Sequence, residues 1–231
     1  MAKKRLDQYK GRLSALNVAE GINAALQNAK RLADDAEILL KNKRYPSAAS
    51  LAILSIEESG KVSILRGLSV ARDDKDLKES WKEYRSHTKK NAAWIIADLV
   101  KSGARKLEDF RPMFEKDAEH PFLLDQVKQL GFYTDCLGDA SWSIPENIVD
   151  EGITKTMVGL AKVFASDKTT TEKEIDLWIK HIGPVWKQNI GWMQQALRNW
   201  YREMQECGLA PKGENAMEEF IRGNINFVEK T

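Results

Sequence analysis

Between residues 51 and 61 the chain reads Leu-Ala-Ile-Leu-Ser-Ile-Glu-Glu-Ser-Gly-Lys, so two adjacent carboxylates, Glu57 and Glu58, close an otherwise apolar run. A carboxylate on a buried helix is costly unless a cation or hydrogen-bond donor meets it. Lys61 stands one turn beyond Glu57, the favourable orientation for an intrahelical pair. Gly60 gives up about 1 kcal/mol of helix propensity, which points to a close approach at that position. Further along, Trp81-Lys-Glu-Tyr-Arg-Ser-His-Thr-Lys-Lys-Asn91 gathers Lys82, Arg85, His87, Lys89 and Lys90. If the two segments pack as an antiparallel helical hairpin, Glu57, Glu58 and Lys61 face Arg85, His87 and Lys90. Such a meeting is either a structural ion-pair network or a site where an imidazole moves protons near neutral pH. Scarcity singles out His87. Of the three histidines, it alone sits among cations beside acids that a buried helix would carry. His181 precedes Ile-Gly-Pro at a helix end, where imidazole suits the terminal carbonyls, and His120 precedes a proline in a short connection. Both read as structural.

The elements that position these residues are helices. From Asn17 to about Lys43, apolar residues recur at three- and four-residue steps, which predicts an amphipathic helix. Asn-Lys-Arg-Tyr-Pro at 42–46 breaks it, and Pro46 suits the first turn of a second helix reaching Ala71. That second helix is apolar nearly all round between Ala48 and Ile56, the mark of a helix in the middle of a bundle. A third is predicted from Asp76 to Ser102, with Trp81, Tyr84, Trp94 and Ile95 on its apolar side and Gly103 as its stop. Residues 107–130 read as two short helices around His120-Pro121. Residues 131–145 mix aromatics with Gly, Asp and Ser, which suggests a structured loop or small hairpin. Helices follow over 146–166, 171–182 and 184–207, with a short one near 215–223; Thr171 ends a polar stretch as a helix N-cap. The reading is all-α: a basic arm over 1–16, then one helical domain over 17–231.

Composition narrows the function classes. Lys+Arg number 36 against 34 Asp+Glu, a balance that does not announce nucleic-acid binding. Basic surface must come from local clusters such as Lys3, Lys4, Arg5 or the Arg85–Lys90 run. Cys136 and Cys207 show no metal-ligand or CxxC spacing, so a reduced cytoplasmic compartment is the default. The start of the chain is charged, with no hydrophobic signal core behind it. No segment approaches the ~20 apolar residues of a membrane span. Glu-x-x-His, the P-loop, Gly-x-Gly-x-x-Gly and Gly-x-Ser-x-Gly are all missing, which sets aside di-iron, nucleotide and hydrolase classes. The tryptophans at 178, 186, 192 and 200 read as core or dimer surface rather than a base-stacking platform.

Three blocks in order carry a family resemblance: Ser-Ile-Glu-Glu-x-Gly-Lys at 55–61, Trp-Lys-x-Tyr-Arg-x-His-x-Lys-Lys at 81–90, and Gly-Phe-Tyr-Thr-Asp…Ser-Trp-Ser-Ile-Pro at 131–145. Over Ala24 to Pro145 the chain resembles the AbiV-type abortive-infection proteins of the HEPN helical superfamily. The resemblance implies a HEPN-like core over about 17–145 with additional C-terminal helices over 146–231. It also implies a bacterial anti-phage toxin that halts growth or translation, answering to a phage-encoded activator. HEPN toxins are typically homodimeric, metal-independent ribonucleases, with no cofactor, in which the ribose 2′-hydroxyl attacks the adjacent phosphate. Carried over by position, His87 is the acid/base, with Arg85 or Lys82 as its cationic partner. Lys89, Lys90 and Lys61 hold RNA phosphate, and Glu57 and Glu58 orient the site. The superfamily motif places four to six residues between its Arg and its His. Here one residue separates Arg85 from His87, about 200° apart on a continuous helix, whereas Lys82 has the motif spacing with lysine in place of arginine. The alternative is a helical module that arrests growth by binding a host or phage protein, with the motif as a fold staple.

Overall fold

A computed structural model describes residues 7–91 and 119–223, together with positions 99, 102, 104–106 and 109. Helix α1 (Ala15–Lys41) starts where the Ser14 side chain accepts from the Asn17 amide, satisfying a backbone donor that has no partner inside the helix. Helix α2 (Tyr45–Ser69) follows a short turn, with its proline in the first helical positions. The two pack along each other, and α2 also touches most later helices. It is the centre of the bundle because it is apolar nearly all round, as expected.

The main core joins Ala33 and Ala36 of α1 to Ala52, Ile53 and Ile56 of α2, with Leu124, Met157, Val158 and Ala161 closing around them. Small residues at these helix crossings let the backbones approach. A second cluster sets Val18, Ala19 and Ile22 against Leu65 and Ile175.

Helix α3 (Asp74–Arg85) is capped by Asp73, and α4 (His87–Lys90) follows at once. The expected single helix from Asp76 is therefore broken at Ser86, whose backbone is extended and whose hydroxyl accepts from the Lys89 amide. Serine competes with the helix for backbone bonds and caps a new one. Most of the remainder of that expected helix, with Trp94, Ile95 and the Gly103 stop, lies outside the described residues, as do Lys3, Lys4, Arg5 and most of the short helix expected before His120.

Helix α5 (His120–Phe132) carries Pro121 in its first turn. The irregular stretch after it is a hairpin of β1 (Asp135–Leu137) and β2 (Ser141–Ser143), antiparallel with Cys136 opposite Trp142. The helix expected over 146–166 is split into α6 (Pro145–Ile148) and α7 (Glu151–Phe164), because Asp150 caps a fresh start by accepting from Ile153. Helix α8 (Glu172–Ile182) opens with a full capping box between Thr171 and Glu174. One 3₁₀ turn over Gly183–Val185 then precedes α9 (Ile190–Glu206), so the helix expected from 184 begins later, at its Asn189 cap. A short α10 (Ala216–Arg222) follows. Among the described residues no helix is long and apolar enough to cross a membrane.

Candidate active site

Glu57 sits on α2 with its side chain only 3% exposed, and three side chains from two elements answer that buried charge. From α5, the Lys128 ammonium donates to Glu57 Oε1 at 2.6 Å and to Asp125 Oδ1 at 2.7 Å. From α4, the His87 Nδ1–H donates to Glu57 Oε2 at 2.7 Å, and Lys90 Nζ lies 3.9 Å from the same oxygen. An ionised carboxylate can only accept, so His87 carries its proton on Nδ1. The ring itself is 60% exposed, and Nε2 has no partner among the described residues. A buried acid thus fixes an imidazole whose second nitrogen faces outward.

The two lysines differ. Burial works to lower the pKa of Lys128, but its hydrogen bonds to Asp125 and Glu57 outweigh that and hold it above the ordinary lysine value. Burial pushes Lys90 below the ordinary value, with Glu57 opposing and Lys61 assisting. Lys128 is therefore the cation that neutralises Glu57.

Gly60 makes this geometry reachable. A Cβ there would overlap the backbone carbonyl of Lys90, so α4 can lie against α2 only where no side chain intervenes. That is the close approach the sequence suggested. Gly131, in the third motif block, has a like role: a Cβ would overlap Ser50 Oγ, whose hydroxyl donates to the Lys128 carbonyl. The glycine brings α5, and with it Lys128, close to α2.

The other expected site residues are placed as follows. Lys61 pairs with Glu58 at 2.6 Å and lies over the Tyr84 ring, so its partner is Glu58 and not Glu57: Glu57 points inward, while Glu58 and Lys61 share an outer edge. Arg85 remains on α3, stacked 4.9 Å over Trp81 and donating to the Tyr9 and Trp81 carbonyls. Trp81 in turn donates to the Gly11 carbonyl, so Arg85 and Trp81 hold the segment before α1. Because Ser86 interrupts the helix, the 200° reckoning between Arg85 and His87 does not apply, though the two side chains still part. Lys82 and Lys89 are exposed. Lys128 and Asp125 escaped the sequence reading; their signal was an i,i+3 pair facing a helix that carries a buried acid.

Glu57, His87 and Asp125 place possible metal-ligand atoms within 4.8 Å of one another. Lys128 Nζ, bonded to both carboxylates, already occupies the position between them with its own charge. The donor set therefore suits an ammonium rather than a metal ion.

The other histidines differ from His87. His181 does not bind helix-end carbonyls: its Nε2 meets Glu203 of α9 at 2.7 Å, and Lys180 meets the same carboxylate at 2.6 Å. His120 opens α5. Trp178 and Trp200 pack edge to face in the C-terminal core, whereas Trp192 is exposed.

No curated protein and no solved structure matches the chain. The family model described as AbiV, of the HEPN type, matches residues 17–166. That is well over half of the 231 residues, and it takes in all three motif blocks and continues through α7. The helices after it, α8 to α10, fall outside the match. The chain belongs to the AbiV-type HEPN family of abortive-infection proteins.

Proposed function

We propose that the chain is a bacterial anti-phage ribonuclease that works without a metal ion, with His87 as its acid–base group. The observation that carries the proposal is an exposed imidazole anchored through Nδ1 by a buried carboxylate, its Nε2 left open. An anchoring acid of this kind sets the tautomer and orientation of a catalytic histidine. In the reaction, Nε2 takes the proton of a ribose 2′-hydroxyl and the 2′-oxygen attacks the adjacent phosphorus. The bond from phosphorus to the 5′-oxygen breaks, giving a 2′,3′-cyclic phosphate and a 5′-hydroxyl. The leaving oxygen takes its proton from a second imidazole, the His87 of another copy in protonated form. Lys89, exposed beside His87, faces the phosphate, with Lys82 one helix back. Apolar side chains support the dimer: Phe122 and Leu123 on α5, Tyr133 just after it and Trp142 on the hairpin are all more than half exposed. The α5 helix begins beside α4, where Asn91 donates to the Pro121 carbonyl, so a second copy covering this belt would lie next to His87.

A second reading has its own support. Arg85 is bound to Tyr9 and Trp81, Lys61 to Glu58, and Lys90 is buried, so most cations near His87 are engaged within the chain. On that reading the cluster is a staple, and the protein arrests growth by binding another protein. Incubating the purified protein, and extracts of phage-infected cells expressing it, with total RNA in excess EDTA separates the two. Cleavage that ends in cyclic phosphate and is lost in His87→Ala supports the ribonuclease. Growth arrest that persists in a folded His87→Ala protein supports the binding module.

A further inference from the structure

On the face of α2 away from His87 lies a cavity of about 510 Å³, within the range of roughly 300–1,000 Å³ typical of small-molecule sites. Val62, Phe164, Trp178 and Trp186 supply much of its apolar wall. Two polar groups in this wall lack the partners such groups usually have. Arg66 has no carboxylate within ion-pair distance among the described residues; its guanidinium instead lies 5.5 Å over the Trp178 ring and 6.0 Å from Trp200. Ser59 Oγ is buried without a hydrogen-bond partner among the described residues. Lys168 at the rim pairs with Glu174 at 3.2 Å, so among the described residues Arg66 is the cation of the lining with no carboxylate at ion-pair distance. Burial lowers the pKa of Arg66, with Glu174 opposing.

We propose that this cavity is a binding site for a small amphiphilic carboxylate. Its carboxylate would accept from the Arg66 guanidinium, and its apolar body would lie against Phe164, Trp178 and Trp186. A guanidinium pairs well with a planar carboxylate because two parallel hydrogen bonds form, and removing apolar surface from water adds to the affinity. The site is independent of the ribonuclease reading, because none of these side chains contacts His87 or Glu57.

Isothermal titration calorimetry of the full chain with octanoate and with 1-octanol tests the charge and the apolar body separately. Octanoate should bind one per chain and at least tenfold more tightly than 1-octanol. Arg66→Met should bring octanoate down to the level of the alcohol. Ser63→Trp changes an exposed position on the cavity wall and should abolish binding of both, with the thermal unfolding curve preserved. The proposal is overturned if octanoate does not bind, if 1-octanol binds as tightly, or if Ser63→Trp binds octanoate normally. Were Arg66→Met to unfold, the two ligands and the Ser63 variant would still decide.

Discussion

Among the described residues stand two histidine–glutamate pairs of the same length, 2.7 Å, and they are built differently. In the first, Glu57 is buried and His87 uses Nδ1, so most of its ring stands in solvent. In the second, neither group is fully buried: His181 and Glu203 are 17% and 24% exposed, and His181 spends Nε2 on the bond. The first pair sits within the motif blocks at the centre of the bundle. The second fastens α8 to α9, beyond the stretch matched to the family. A short bond between imidazole and carboxylate is thus no sign of a site by itself. What distinguishes His87 is which nitrogen is tied, how deeply the acid is buried, and what the free nitrogen faces.

The largest effect that separates the pairs is catalytic. His87→Ala should lower RNA cleavage by about 10²–10⁴-fold, the range of general acid–base catalysis, while His181→Ala leaves the rate unchanged; equal rates in both variants would erase the distinction. Stability should separate them next. Lys128→Met leaves Glu57 buried without its main cation, a loss of about 3–5 kcal/mol in denaturant unfolding, whereas Lys180→Met, which removes a cation that is 60% exposed, should shift the midpoint far less. Gly60→Ala should cost about 1–3 kcal/mol, as overpacking does, because α4 must move off α2; the movement should also displace His87 and lower activity.

The smallest effect is in acid. Glu203 is held below the ordinary carboxylate value, first by the hydrogen bond from Lys180 and then by that from His181. Its contribution is present above the ordinary value of 4.5 and is lost as pH falls through the folded value. Wild type should therefore be modestly more stable than Glu203→Gln at neutral pH, and the gap should close as the pH is taken below 4.5.

Much of this comparison could be read in the chain before any coordinates. Two carboxylates at the end of an apolar run require an answering donor, and His87 was the distinctive candidate. Gly60 signalled a close approach because a helix interior tolerates glycine only at a cost. The Thr171 cap was visible because a capping box is local. Other features were not legible. Ser86 sits within a helical pattern, and a serine there suits an interior position or a cap equally well until packing chooses. Lys61 has acids at both i−3 and i−4, and only the inward direction of Glu57 decides for Glu58. Lys128 lies 71 residues from Glu57, and periodicity does not tell that the one lysine of its helix turns inward. His181 was read against its own helix end, while its partner is on the next helix.

Catalysis by His87 depends on the direction in which its ring is held, and one spectrum reports that direction for both pairs. Nitrogen-15 NMR of the imidazoles, followed with rising pH until the ring signals stop moving, distinguishes the tautomers. His87 should carry its proton on Nδ1 and leave Nε2 unprotonated, and His181 should show the reverse. A His87 ring protonated on Nε2 would contradict this, since the nitrogen assigned to the 2′-hydroxyl would then have no lone pair to offer.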